Sequence, residues 1–149
     1  YDASDARNLI KTIVKELNLA DDKYKPNVIA SRISQAKNAL VTPGAYLANS
    51  AHATEDRRAQ IPEFGNIYNL YCQRCKHGAM DFDDLLLQTN ILLRDCPDVL
   101  EYYQKQFRYI LVDEYQDTNY AQYIIVRRLS QQLFQLFQAF PGFRRELPF

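Results

Sequence analysis

Apolar side chains recur along most of this chain at the three-and-four spacing of one helix face, and in one place they run together instead. Leu9, Ile10, Ile13, Val14 and Leu17 predict a helix over 5–19, with Ser4 or Asp5 as its cap. Asp21, Asp22 and the Lys23–Pro26 stretch break it, and Val28, Ile29, Ile33, Ala36 and Leu40 predict a second helix over 27–40. Thr42-Pro43, a cap followed by a proline with φ already helical, opens a short helix through Tyr46 and Leu47. The polar run Ser50–Gln60 reads as a loop or a frayed end. Beyond Pro62, the residues Phe64, Ile67, Tyr68, Tyr71, Cys72 and Cys75 form a long stripe that should stop at Gly78. Asp81 with Asp84 makes a capping box for a helix carrying Leu85, Leu86, Leu87, Ile91, Leu92 and Leu93. Pro97 interrupts, and Val99–Phe107 predicts another short helix.

The period then changes. Tyr109, Ile110, Leu111 and Val112 are continuous, too short for a helix and rich in strand formers, as in a buried parallel strand. Thr118 or Asn119 caps a last helix bearing Tyr123, Ile124, Val126 and Leu129. Ser130–Phe149 reads as an amphipathic helix or an unstructured tail. One strand cannot pair its own backbone groups. Its neighbours are expected outside this chain, unless the chain oligomerises or misfolds.

The predicted strand runs into Asp113 and Glu114. Two carboxylates freed at the carboxyl end of a buried strand can hold Mg²⁺ beside a nucleotide phosphate and activate water against it. The plainer alternative is a strand end meeting solvent, where acids are ordinary.

Composition narrows the rest. The 149 residues suit one domain, or a small domain with part of another, and a 47% apolar fraction supplies a core. Eighteen basic and eighteen acidic side chains cancel, which neither supports nor excludes a local nucleic-acid patch. Residues 81–101 hold six acids and only Arg94, a poor surface for a phosphate backbone. Three cysteines form no disulfide framework and fit a reducing compartment. Cys72-Gln73-Arg74-Cys75, with His77 nearby, is half a zinc site at most, and core packing explains it better. His52 reads as a surface residue. No apolar run is long enough to span a membrane, so no membrane partner is expected. A first residue of Tyr rather than Met suggests processing or an excised piece.

The string DEYQDTN followed by Ala121-Gln122 resembles motif II, the Walker B region, of the UvrD/PcrA/Rep-type superfamily 1 DNA helicases. MDFDDLL at 80–86, FRYILVDE at 107–114 and ISQAKNALVTP at 33–43 extend the resemblance over residues 1–130. It implies a mostly α chain: a helical 1B domain with its return segment over 1–104, then over 105–149 a strand-plus-helix fragment of a RecA-like α/β P-loop domain, 1A. It makes Asp113 the ligand of Mg²⁺ through water and Glu114 the catalytic base. Gln116 and Asp117 join the nucleotide site, and Thr118 and Gln122 support the motif. Arg57, Arg58, Arg74 and Lys76 become candidate DNA contacts, with Lys23, Lys25 and Lys37 behind them, each with a solvated helix face as the alternative.

The implied parent is a cytoplasmic, nucleoid-associated bacterial enzyme. It spends ATP, with Mg²⁺, to move 3′-to-5′ on single-stranded and forked duplex DNA, and its remaining partners are the rest of 1A, 2A and 2B. The phosphate-binding loop would lie before Tyr1 and the glutamine-bearing motif III after residue 130. Residues 1–149 are therefore expected to bind no nucleotide and to be inactive alone. An AddA/RecB-type helicase-nuclease subunit and a non-enzymatic helical interaction module are the alternatives.

Overall fold

Fifteen buried side chains, nearly all at helical spacing, set the architecture of the first part of the chain. The computed structural model describes residues 3–77, 80–113 and 115–131, with only the backbone of Ala3, Lys76 and His77. The expectations for Gly78, Glu114 and the tail beyond Gln131 lie outside the described residues. The chain forms two compact units, Tyr1–Leu87 and Gln88–Phe149.

In the first unit α1 (Ala3–Glu16) packs on α2 (Pro26–Asn38) and α5 (Phe64–His77), while α3 (Pro43–Ala48) packs on α5 and on α4 (Ser50–Arg58). Ile10, Ile13 and Val14 of α1 meet Ile29, Ile33 and Ala36 of α2. They close over a stripe of α5, Phe64, Ile67, Tyr68, Tyr71, Cys72 and Cys75, that repeats every three or four residues on one face. Burying the tyrosines is tolerable because their hydroxyls are paired. Tyr68 donates to the Val41 carbonyl at 2.8 Å, and the Tyr24 hydroxyl accepts from the Glu63 N–H at 3.2 Å. Val28, expected on the apolar face of α2, is instead 47% exposed.

Three helices of this unit end alike. After α1, α2 and α4 the chain turns left-handed at Asn18 (φ 52°), Leu40 (φ 59°) and Gln60 (φ 61°). The next N–H reaches back five residues each time: Leu19 to Val14, Val41 to Ala36, Ile61 to Asp56. These are Schellman caps without glycine, so Leu40 and Gln60 carry a Cβ where one is unfavourable. Gln60 is exposed, so its side chain contributes little in compensation. Gln60→Gly should stabilise the chain by about 0.5–1 kcal/mol and raise its melting temperature by roughly 1–4 °C in a thermal scan. A lower melting temperature would show that the turn is not strained.

The Ser50–Gln60 stretch is a correction to the expected loop. It is helical over Ser50–Arg58, started by Asn49, whose side chain accepts from the Ala51 N–H at 3.0 Å. Its inward face is polar, which is why no apolar periodicity betrays it. His52 stacks on the Tyr46 ring at 4.2 Å. Asp56 is buried, accepting from Arg32 at 3.0 Å and from the Tyr46 hydroxyl at 2.9 Å. The Arg32 guanidinium also lies over the Phe64 ring, 5.1 Å from its centre.

The boundary between the units falls within α6 (Phe82–Asp95). In the second unit α7 (Pro97–Gln106) packs on α8 (Tyr120–Leu129). Buried Asn90 donates to the Ala121 carbonyl at 3.0 Å, and Gln104 donates to the Arg128 carbonyl at 2.7 Å. The strand expected over Tyr109–Val112 is not formed: the described residues contain no strand, and Leu111 is 98% exposed. A strand exists only through a partner's hydrogen bonds, and no described segment supplies them. Among the described residues no helix is long and apolar enough to cross a membrane.

Candidate functional site

The acidic segment lies between this unpaired stretch and α8. Asp113 is exposed, and Tyr115–Asp117 forms a single 3₁₀ turn closed by the Thr118 N–H on the Tyr115 carbonyl at 3.1 Å. Gln116 and Asp117 are exposed, and Thr118 is half-buried. Of the two expected caps, Asn119 is the one used. Its side chain accepts from the Gln122 N–H at 2.9 Å, and the Gln122 side chain accepts from the Asn119 N–H at 3.0 Å. Gln122 thus has a definite local task, closing a reciprocal capping box that fixes where α8 begins. Asp113 and Asp117 thus lie four positions apart in sequence, both exposed, just ahead of α8.

The basic candidates separate into groups. Arg57 and Arg58 are exposed in the last turn of α4, and Lys23 and Lys25 are exposed beyond α1. Arg74 donates to both carboxylate oxygens of Glu16, one at 3.3 Å, so its charge is largely offset. The side chain of Lys76 lies outside the described residues.

Lys37 is a correction, because its side chain is completely buried and cannot face DNA. Its ammonium donates to Asp81 Oδ2 at 2.6 Å and lies 2.8 Å from Asp84 Oδ1, with the Tyr71 ring centre 4.8 Å away. The two aspartates also cap α6: Asp84 N–H donates to Asp81 at 2.7 Å, and Asp81 N–H to Asp84 at 3.3 Å. The Tyr71 hydroxyl donates to the same Asp81 oxygen as the ammonium, at 2.8 Å. Burial alone would push the Lys37 ammonium down and the Asp81 carboxyl up. Their hydrogen bonds and mutual attraction outweigh it, so Lys37 is raised and Asp81 lowered. Sequence pattern points to the capping box but not to the lysine, which lies more than forty positions away on another helix.

Cys75 completes a cluster with Asp81 and Asp84 whose ligand atoms all lie within 4.8 Å of one another. The Lys37 ammonium is the cation those carboxylates hold. Cys72 and Cys75 both sit in the helical core, as the packing reading has it. Burial pushes the Cys72 thiol up to about 12, leaving it protonated and a poor metal ligand near neutral pH.

Residues 1–138 match the UvrD/REP helicase N-terminal domain family, and the chain belongs to it. It is similar to the ATP-dependent DNA helicase UvrD1 of Mycobacterium tuberculosis, 39% identical over 130 residues. That match covers 87% of this chain and 16% of the relative. It is also similar to the ATP-dependent DNA helicase PcrA of Leuconostoc citreum, 41% identical over 132 residues, 88% of this chain and 17% of the relative. PcrA of Staphylococcus aureus is 39% identical over the same length. The chain thus spans about a sixth of these relatives.

Proposed function

We propose that residues 1–149 are the 1B domain (1–104) and the start of domain 1A (105–149) of a bacterial ATP-dependent DNA helicase acting 3′-to-5′ from the cytoplasm and nucleoid. The observation that carries this reading is the 113–122 segment. An acidic pair, a tight turn with a second aspartate and a boxed helix start follow one another within a chain of the UvrD/REP family. In the parent, Asp113 would hold Mg²⁺ through its water shell, and Mg²⁺ would neutralise charge on the ATP phosphates. Glu114 would take the proton of the attacking water. Gln116 and Asp117 would line the nucleotide site, and Thr118 and Gln122 would hold the turn on α8. Arg57 and Arg58 are the best placed for DNA phosphates, since Arg74 is engaged by Glu16 and Lys37 is buried.

The sequence contains no glycine-rich phosphate loop, so residues 1–149 alone should show no ATPase activity. The full polypeptide should show magnesium-dependent hydrolysis stimulated by single-stranded DNA, and unwinding of a 3′-tailed duplex. Turnover by residues 1–149 that disappears on Glu114→Gln would refute the first expectation. A full polypeptide without DNA-stimulated ATPase would refute the second.

A further inference from the structure

The last turn of α4 reads Glu55-Asp56-Arg57-Arg58, two acids followed by two bases, and as sequence it is neutral. The fold sorts these charges. Asp56 is 2% exposed and accepts from the Arg32 guanidinium at 3.0 Å and from the Tyr46 hydroxyl at 2.9 Å. Glu55 lies 3.8 Å from the same guanidinium, so one cation on α2 answers both acids. Arg32 is itself fixed over the Phe64 ring of α5. Arg57 and Arg58 are exposed, and among the described residues neither forms an ion pair. The last turn therefore shows two guanidinium groups to water, on a helix that His52 and Asp56, one turn apart, pin to Tyr46.

We infer that Arg32 and Asp56 are positioning residues for a DNA phosphate contact made by Arg57 and Arg58 at the end of α4. The pair draws the acids of this turn inward and fixes the direction from which the two arginines reach a phosphate. The inference rests on the helicase reading above and adds to it the residues that hold the contact. A guanidinium suits this partner, because its planar fork of donors matches phosphate oxygens. Bulk charge and positioning predict opposite signs for Asp56. Deleting its carboxylate makes the protein more positive, which by itself tightens binding to DNA. Deleting it as an anchor releases α4 from Arg32 and Tyr46, which weakens binding.

The test is fluorescence anisotropy of the full polypeptide on a labelled single-stranded oligonucleotide and on a blunt duplex, each across a NaCl series. Arg57→Ala with Arg58→Ala should lower the slope of log affinity against log salt by about one for each arginine. The DNA on which the slope falls identifies the strand state that α4 meets. An unchanged slope on both DNAs overturns the inference. On the same DNA, Asp56→Ala should weaken binding at least about threefold, with no further loss when Arg57 and Arg58 are already alanine. Tighter binding, unchanged binding, or equal weakening in both backgrounds overturns the positioning role. Should Asp56→Ala fail to fold, Arg32→Gln breaks the same pair from the other side and is measured in the same two backgrounds. A larger loss with the arginines present supports the inference, and equal losses overturn it. The helicase reading is judged separately, by the DNA-stimulated ATPase of the full wild-type polypeptide, so either can fail while the other stands.

Discussion

Lys37→Ala is expected to cost about 3–5 kcal/mol, a large part of the stability of a domain this size, because it leaves the buried Asp84 and the half-buried Asp81 without their cation. Urea denaturation of residues 1–149 should show a lower midpoint with little change in slope. Lys37→Met combined with Asp81→Asn and Asp84→Asn should recover much of the loss, since asparagine still caps a helix and no charge stays buried. An unchanged midpoint for Lys37→Ala would refute the clamp.

The pH dependence follows from the two shifted groups. Asp81 is lowered in the folded chain, so its stabilisation is complete above its unfolded value of about 4 and is lost as pH falls through the lower folded value. Lys37 is raised, so its stabilisation is complete below 10.5 and is lost as pH rises through the higher folded value. Between these limits the clamp's contribution is constant. With Lys37 replaced by alanine, burial dominates at Asp81, and mild acid should stabilise the variant while the clamp's contribution to the wild type stays unchanged until the pH falls below about 4.

Glu114→Gln in the full polypeptide is expected to lower kcat for ATP hydrolysis by about 10²–10⁴, because the amide cannot accept the proton of the attacking water. KM for ATP should change little, since the loss falls in the transition state rather than in binding. Asp113→Ala should act differently, by raising the magnesium concentration needed for half-maximal turnover. Steady-state ATPase assays on single-stranded DNA across a magnesium series separate the two. A Glu114→Gln variant within about tenfold of wild type would remove Glu114 from the role of base.

Helices with an apolar stripe were legible from sequence because burial repeats with the helix: Ile10, Ile13 and Val14, and the six positions from Phe64 to Cys75, fall where periodicity puts them. Helix α4 was not, because the side chains it turns inward are His52 and Asp56, which a hydrophobic pattern scores as solvent-facing. Lys37 was misread for a related reason. A lysine on a helix suggests a solvated face, and only the fold brings Asp81 and Asp84 to it. The Asp81–Asp84 box was visible locally, but its second role as counterion was not. Tyr109–Val112 has the composition of a strand, yet a strand is defined by neighbours that no local pattern can supply. The family to which the 113–122 segment points was legible through motif spacing, with the choice of Asn119 over Thr118 as cap left to the structure.

The clamp also sets a limit for anyone dissecting this protein. A truncation ending anywhere between the close of α5 and Asp81 would keep every member of the hydrophobic cluster that α1, α2 and α5 share. It would nevertheless strand an ammonium in the core with no anion beside it. The shortest autonomous piece therefore extends past Asp84, several residues beyond the point where hydrophobic packing alone would place the cut.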